Sequence, residues 1–233
     1  MHAWLPKEKE DPVGRRHQLL TLILLGVLFV VLPSCGSNAP ATPAGDAKAH
    51  LEAGKQAYDE RAYDQAIQEF KAAIAADSKL AEAHFRLGNA YAEQGRPNDA
   101  EVAYKNALEL NPQDADSLSN LGVTYYHLGR LDEAMQQFQA ALKLKPDDAD
   151  IHYNLGGVYV QQSRWDDALA EFEKARNLKP DLPEVYLGFG FVYKELGRKD
   201  DAINAFEKFI ALSKDSQWRS QAEDQLQQLR GTP

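Results

Sequence analysis

The side chains in this sequence that could hold a metal are its histidines and carboxylates. His50, His84 and His152 resemble a ligand set, because imidazole nitrogens are common metal ligands. They are separated by 34 and 68 residues, however, so each takes the same place in a different copy of a repeated unit. We expect them to pack at the surfaces of separate helices, and we predict no metal site and no cofactor.

A nucleophile with a nearby base is the second kind of site that the sequence could contain. Cys35 is the only cysteine, and one thiol can form neither an internal disulfide nor a cysteine-based zinc site. Gly188-Phe189-Gly190 is similar to half of a phosphate-binding loop, but Gly190 also belongs to a regular series of glycines inside predicted helices. We find no nucleophile–base constellation, so the sequence predicts a protein that is not an enzyme.

The charge balance narrows the range of partners. The formal net charge is −9. Nucleic-acid binding needs a basic face that neutralises phosphates, so we expect no nucleic-acid partner. An acidic protein is also a poor candidate for adhesion to anionic lipid through surface charge alone.

The N-terminal segment has the order of an export signal. Arg15 and Arg16 precede an apolar run over residues 19–32, and Ser34 and Cys35 follow it. As a helix this run would span about 21 Å, which is short for a bilayer core of about 30 Å. The sequence therefore predicts a cleaved signal peptide over residues 1–34. An uncleaved helical anchor is the alternative.

The start of this segment has an alternative of its own. Glu8, Glu10 and Asp11 are unusual in a basic leader. Val13 is therefore a second possible translation start. Starting there would leave a short leader that opens on basic residues.

Leu32-Pro33-Ser34-Cys35 resembles the lipobox of bacterial lipoproteins, although Pro33 departs from the residues usual there. The resemblance implies that Cys35 is acylated and becomes the first residue of the mature chain, and that residues 35–46 form a flexible tether. It also implies a lipid-anchored protein of the bacterial cell envelope that faces the periplasm or the exterior. An Asp directly after the cysteine would resemble an inner-membrane retention signal. This chain has Gly36 there, which favours the outer membrane if the organism has one.

Beyond this segment the sequence repeats itself every 34 residues. The recurring glycines are Gly54, Gly88, Gly122, Gly156 and Gly190, the alanines are Ala66, Ala100, Ala134, Ala168 and Ala202, and the aromatic residues are Phe70, Tyr104, Phe138, Phe172 and Phe206. Apolar residues within a unit are three and four positions apart, as on one face of a helix. A glycine inside a helix lowers its stability by about 1 kcal/mol relative to alanine. The glycine recurs in every unit, which indicates that a second helix packs closely against it and offsets this cost.

This pattern resembles the tetratricopeptide repeat, a helix pair of 34 residues. Five units fit it, at residues 47–80, 81–114, 115–148, 149–182 and 183–216. The resemblance implies an all-α fold, a right-handed α-solenoid of five helix pairs. A last segment, residues 217–230, places Trp218, Ala222, Leu226 and Leu229 on one stripe and is predicted to be a capping helix that shields the final repeat.

The ends of the second helices also carry signals. We expect a side-chain cap at the start of each, where polar residues recur at Asp64, Asn98, Asp132, Asp166 and Asp200. Pro112, Pro146 and Pro180 follow three of these helices and prevent them from continuing.

In this family the first helices of successive units line a concave groove that receives a peptide. The resemblance implies a groove lined by Phe85, Arg86, Asn89, Asn120, Tyr126, Tyr153, Asn154 and Phe191. We expect exposed aromatic anchors at Phe85 and Tyr153, with packing between repeats as the alternative. We expect exposed amides at Asn120 and Asn154, which could bridge the N–H and C=O of an extended partner.

Two further features bear on the choice of ligand. Asn89 and Asn120 match the asparagines of a clamp for C-terminal carboxylates, but the clamp's basic positions carry other residues, so we do not expect carboxylate recognition. An acidic row recurs in four units, at Glu82, Asp116, Asp150 and Glu184. Attraction for a basic ligand and stabilisation of the helix dipole are both consistent with it, because each residue lies in a predicted first turn.

Together these patterns predict a non-catalytic scaffold for protein–protein interaction, lipid-anchored at Cys35, whose groove binds a peptide or protein partner. Lipid-anchored repeat proteins of similar layout include pilotins of pilus assembly, which favours a role in assembling envelope complexes. The alternative is an accessory or regulatory subunit of an envelope enzyme.

Overall fold

Residues 43–231 are described by this computed structural model, and within that range the only regular elements are eleven α-helices. They are α1 (Pro43–Asp59), α2 (Tyr63–Ala76), α3 (Ala81–Glu93), α4 (Pro97–Leu110), α5 (Ala115–His127), α6 (Leu131–Leu144), α7 (Ala149–Gln161), α8 (Trp165–Leu178), α9 (Pro183–Glu195), α10 (Lys199–Leu212) and α11 (Ser216–Gly231). None of these helices is both long and apolar enough to cross a bilayer.

The helices form five pairs, α1–α2 to α9–α10, and α11 packs against the last pair. Each pair contacts mainly the next pair along the chain, which is the arrangement of a solenoid. The odd-numbered helices α1 to α9 also touch one another in sequence, whereas the even-numbered ones make their main contacts with odd-numbered helices. The odd-numbered helices are therefore the inner layer. The predicted all-α solenoid of five helix pairs with a terminal helix is confirmed.

A glycine and an aromatic ring hold each pair together. A Cβ added at the recurrent glycine of the first helix would lie 2.5–2.8 Å from the recurrent ring of the second helix in all five units. That distance is too short for any side chain, so only glycine allows the ring to pack there. The rings themselves are almost completely buried. The cost of glycine in a helix is offset by this close packing.

The turn inside each pair requires a left-handed residue. Gly95, Gly129 and Gly197 have φ of 69°, 74° and 70°. Arg61 and Ser163 take the same place in the first and fourth units, with φ of 60° and 56°. The next residue then donates its N–H back to the last turn, as Arg164 does to the Tyr159 carbonyl at 2.9 Å. This is a Schellman-type ending, in which a residue with a Cβ is strained.

Replacing Ser163 by glycine is expected to stabilise the protein by about 1 kcal/mol, because the left-handed conformation then carries no Cβ penalty. Chemical unfolding followed by circular dichroism measures the change. The reciprocal control is Gly129→Ser, which should destabilise by a similar amount. A Ser163→Gly protein that is less stable than wild type would contradict the assignment of strain to this residue.

The predicted side-chain caps of the second helices are wrong. Each second helix begins one residue before the expected cap, so that Asp64 and its counterparts are already helical. The true cap positions are Ala62, Arg96, Arg130, Arg164 and Arg198, and none of them accepts a hydrogen bond through its side chain. An acid in the first turn still stabilises the positive end of the helix dipole.

The two ends of the fold differ slightly from expectation. The flexible tether was predicted over residues 35–46. Helix α1 begins at Pro43, so residues 43–46 of this segment are helical. Cys35 and the signal segment lie outside the described residues. At the other end α11 buries Ala222 and Leu226 in a cluster with Phe206 and Phe209. Trp218 and Leu229 pack at the edge of this cluster, so the predicted apolar stripe of the capping helix is confirmed.

Candidate functional site

The inner layer of the solenoid presents the residues predicted to line a groove. At its N-terminal end the surface is ionic. Glu82 accepts from the Lys55 ammonium at 2.8 Å and lies 3.6 Å from Nε of Arg86. The hydrogen bond from Lys55 lowers the pKa of Glu82, and Glu82 in turn raises the pKa of Lys55. Charges at this end are therefore largely compensated within the protein.

A pair of amides follows the ionic end. Asn120 donates Nδ2–H to Oδ1 of Asn89 at 2.9 Å, and the Tyr104 hydroxyl donates to the same oxygen at 2.8 Å. Tyr104 is the buried aromatic residue of its unit, and burial raises the pKa of its hydroxyl, which stays protonated as a donor. The two amides, from α3 and α5, are thus held in place by the core beneath them.

This network changes the expectation for Asn120. Its side chain is half-buried and bonded across two units, rather than exposed and free. The sequence pattern could not show this, because Asn89 and Asn120 are 31 residues apart and belong to different repeats.

Three of the four aromatic side chains predicted to line the groove remain partly open. Phe85 lies against Tyr104 with ring centroids 6.1 Å apart, and Phe191 lies edge-on to Phe206 at 5.5 Å. Tyr126 is between them along the chain, and its partial burial raises the pKa of its hydroxyl to about 12. Arg86 lies over the Phe85 ring, 5.7 Å from its centroid. These rings expose apolar edges beside polar groups, as binding surfaces do.

The expectation of exposed side chains at Tyr153 and Asn154 is wrong. Tyr153 is only 2% exposed, and its ring packs on Phe172 at 5.9 Å. Asn154 is 7% exposed, and its Oδ1 is buried without a hydrogen-bond partner among residues 43–231. We attribute the burial to α9, which lies directly against α7 and carries Gly188 where α5 and α7 carry asparagine. Tyr153 is therefore a core residue that packs on the recurrent ring of its own unit, rather than an exposed anchor.

The acidic row is neutralised by lysines in three of its four units. Glu82 pairs with Lys55, as described above. Lys145 donates to Asp116 at 2.6 Å, and Lys179 lies 4.0 Å from Asp150. All four acids lie in the first turn of their helices. Within these units the row acts on helix dipoles and ion pairs rather than forming a continuous acidic surface.

The three histidines serve separate units. His84 lies 3.2 Å from the Ser78 carbonyl and His152 lies 2.9 Å from the Pro146 carbonyl, each through Nε2. His50 contacts the Glu69 carboxylate through Nδ1 at 2.7 Å. These contacts tie a first helix to a nearby loop or to the second helix of its unit. Over residues 43–231 no group of three or more potential ligands is close enough to hold a metal.

The sequence analysis did not predict the role of the arginine that follows the turn in the second to fifth units. Arg130 lies over the Tyr125 ring, 4.3 Å from its centroid, and also donates to Glu133 and, at 2.7 Å, to Glu101 of the preceding unit. Arg96, Arg164 and Arg198 lie over their own tyrosines in the same way. The interval of 34 residues between these arginines was the available signal. They stabilise the turns by packing on tyrosines near the ends of the first helices.

Family models of the tetratricopeptide repeat match residues 54–95, 85–149, 129–185 and 159–221. Together these matches run through all five helix pairs. The chain belongs to the tetratricopeptide-repeat family.

Solved tetratricopeptide-repeat structures superpose on most of this chain. MamA is 29% identical with a TM-score of 0.63 and covers 68% of this chain and 92% of its own. YrrB, described as having an unusual peptide-binding site, is 20% identical with a TM-score of 0.63 and covers 77% and 92%. PilF of Pseudomonas aeruginosa is 22% identical with a TM-score of 0.68 and covers 80% and 90%. The last two show the fold alone. No curated protein sequence matches the chain.

Proposed function

We propose that this tetratricopeptide-repeat protein is a non-catalytic scaffold that binds an extended peptide segment of a partner protein along its inner layer. The observation that carries the proposal is the amide pair Asn89–Asn120, on the same two helices as the partly open rings of Phe85 and Tyr126. Anchored polar groups together with partly open aromatic rings are the composition of a peptide-binding surface. The peptide-binding site described for YrrB is in keeping with this use of the fold.

The amide pair has the right unused groups for a peptide backbone. Asn89 Oδ1 already accepts two hydrogen bonds, and one Nδ2–H of Asn120 is used. Asn89 Nδ2 and Asn120 Oδ1 remain, which are one donor site and one acceptor. An extended peptide presents a C=O and an N–H at matching spacing. The C=O of the ligand can accept from Asn89 Nδ2, and its N–H can donate to Asn120 Oδ1. The amides are held by Tyr104, which reduces the entropy lost on binding.

Asn120→Ala is expected to weaken partner capture and to lower stability by only about 1 kcal/mol, the net contribution of one hydrogen bond. Capture is measured by pull-down from detergent-solubilised membranes with the wild-type chain and the variant, and stability by thermal unfolding. A matched control is Asn98→Ala, at an exposed position outside the inner layer. Equal capture by wild type and a folded Asn89→Ala/Asn120→Ala double variant would place the interface elsewhere.

We further propose that the scaffold is anchored by lipid at Cys35 on the outer side of a bacterial membrane and takes part in assembling envelope complexes. The order of basic, apolar and small residues before Cys35 supports this proposal. Helix α1 begins at Pro43, eight residues after Cys35. Even fully extended, the segment between them would span at most about 28 Å. The first repeat would then lie close to the membrane.

The identity of the captured protein separates two roles. Recovery of structural components of an envelope machine supports the assembly role. Recovery of a single catalytic protein supports an accessory or regulatory subunit of an envelope enzyme instead.

A further inference from the structure

Both ring nitrogens of His152 lie against oxygen atoms. Nδ1 lies 2.6 Å from Oε2 of Glu171 on α8, and Nε2 lies 2.9 Å from the carbonyl oxygen of Pro146 in the loop before α7. The side chains of His152 and Glu171 are 9% and 12% exposed, so water has little access to either of them. The ring therefore joins the second helix of its own unit to the loop that precedes the unit.

These two contacts need one proton more than a neutral histidine and an ionised carboxylate supply. A carbonyl oxygen only accepts hydrogen bonds, so Nε2 of His152 has to donate to Pro146. The Nδ1 of a neutral ring would then turn a lone pair toward the Glu171 carboxylate. An additional proton removes this repulsion and gives a charge-assisted hydrogen bond. Histidine is the more basic of the two groups, so the proton resides on the ring and His152 is an imidazolium.

The carbonyl six residues earlier is an acceptor in other units as well. In the fifth unit the Tyr186 hydroxyl donates to the Pro180 carbonyl at 2.8 Å. In the second unit Nε2 of His84 lies 3.2 Å from the Ser78 carbonyl. This loop carbonyl therefore accepts from whichever polar side chain the repeat places there, which supports a proton on Nε2 of His152.

The first and second units differ from the fourth because each has one of the two acceptors. Ala103 stands where the fourth unit has Glu171, so His84 has no carboxylate at that position. His50 has the Glu69 carboxylate 2.7 Å from Nδ1, but the residue six positions before it already belongs to α1. One ring proton satisfies the contact of each of these histidines, whereas His152 needs two.

The loop that His152 holds is the connection between the third and fourth units. Lys145 of this loop donates to Asp116 of α5 at 2.6 Å, which ties it to the third unit. The bonds of His152 tie the same loop to the fourth unit, through α7 and through Glu171 of α8. Loss of the additional proton would therefore weaken the junction between these two repeats.

The charges around the pair are largely compensated. Lys174 donates to Oε1 of Glu171 at 2.7 Å, which leaves Oε2 to the ring. Asp148 accepts two N–H groups of α7 through Oδ1, and Lys179 lies 4.0 Å from Asp150. Other charged side chains on the elements packed around α7 are Lys143 of α6, Asp147 of the loop, Arg176 of α8 and Glu184 of α9. The acceptors at 2.6 and 2.9 Å are therefore the groups that decide the protonation of the ring.

We propose that His152 and Glu171 form a proton-dependent latch at the junction of the third and fourth repeats, closed while the ring carries two protons and weakened when one is lost. In the unfolded chain a histidine releases its proton near pH 6.5, at about the value for a free side chain. Above this pH the folded protein binds one more proton at the latch than the unfolded chain does. The contribution of the latch to stability is therefore complete at about pH 6 and falls as the pH rises.

The first test observes the ring directly. The full chain in a non-ionic detergent is labelled with nitrogen-15 in its histidines, and its ring resonances are followed by NMR from about pH 6 to about pH 9. Histidine-to-glutamine variants at positions 50, 84 and 152 assign the resonances. We expect His152 to keep two protonated ring nitrogens at a pH where His84 has one. A His152 ring that loses its second proton together with His84 overturns the proposal.

Glu171→Gln tests the effect on stability, because it removes the charge and nearly preserves the shape. We expect its thermal midpoint to lie below that of wild type at about pH 6, and the difference to shrink by about half or more by about pH 9. Glu69→Gln, at the same repeat position in the first unit, is the matched control and should change the midpoint little at either pH, because the His50–Glu69 pair is more exposed. A Glu171→Gln difference that is the same at both pH values overturns the latch. Neither result bears on peptide binding at Asn89 and Asn120.

Discussion

Phe172→Ala is expected to destabilise the protein by about 3–5 kcal/mol, the range for removing a fully buried aromatic ring. Phe172 is completely buried and packs on Tyr153 and Phe189, with centroids 5.9 and 5.8 Å away. It also fills the space left by Gly156 and Gly188, where a Cβ would lie 2.5 and 2.8 Å from the ring. Its loss therefore loosens α7, α8 and α9 together.

Thermal unfolding followed by circular dichroism measures this effect, and a fall in the midpoint of roughly 10 °C is expected for a protein of this size. Val102→Ala is the control, because Val102 is 59% exposed and should be close to neutral. A double variant tests the mechanism. Gly156→Ala should be destabilising in the wild type, but nearly neutral or favourable in Phe172→Ala, where the added methyl enters the cavity. A Phe172→Ala midpoint within 2 °C or so of wild type would contradict the packing described here.

Cys35→Ser is expected to abolish lipid attachment, because an alcohol cannot replace the thiol that would receive the diacylglycerol. Wild type should incorporate a labelled fatty acid and yield a mature chain that begins at Cys35. The variant should show neither. Stable anchoring needs two or more acyl chains. A variant that is cleaved without lipid should therefore leave the membrane fraction, and a variant whose processing stalls should keep the residues before position 35.

Ser37→Ala is the matched control, since it removes a hydroxyl two residues away and should be labelled and processed like wild type. Two results would contradict the lipid anchor. One is equal labelling of Cys35→Ser and wild type. The other is a wild-type protein that keeps the residues before Cys35, which would indicate the uncleaved helical anchor instead.

Much of the fold could be predicted because its determinants are local in sequence. The interval between Gly156 and Phe172 recurs in every unit, and it specifies a helix pair in which the second helix packs closely on the glycine of the first. The same holds for α11, whose apolar stripe through Ala222 and Leu226 indicates one buried face. Such patterns lie within one helix or one pair, where the spacing of residues determines which side chains meet.

The inner layer was less predictable because its contacts join different repeats. Asn120 was expected to be exposed, yet it is bonded to Asn89 of the preceding unit. Tyr153 and Asn154 were expected to line the groove, yet the approach of α9 to α7 buries both. Whether a position of the repeat is open depends on the size of the side chain that the next unit places against it.

The sequence by itself determined the family, the helix pairs, the aromatic core and the terminal helix of this protein, since each follows from periodic spacing within a unit. Only the tertiary structure decided which inner residues stay open and how the amides of Asn89 and Asn120 pair. The physical reason is the stacking of one unit on the next. Burial and pairing at that junction depend on two repeats together, and no single repeat contains the information.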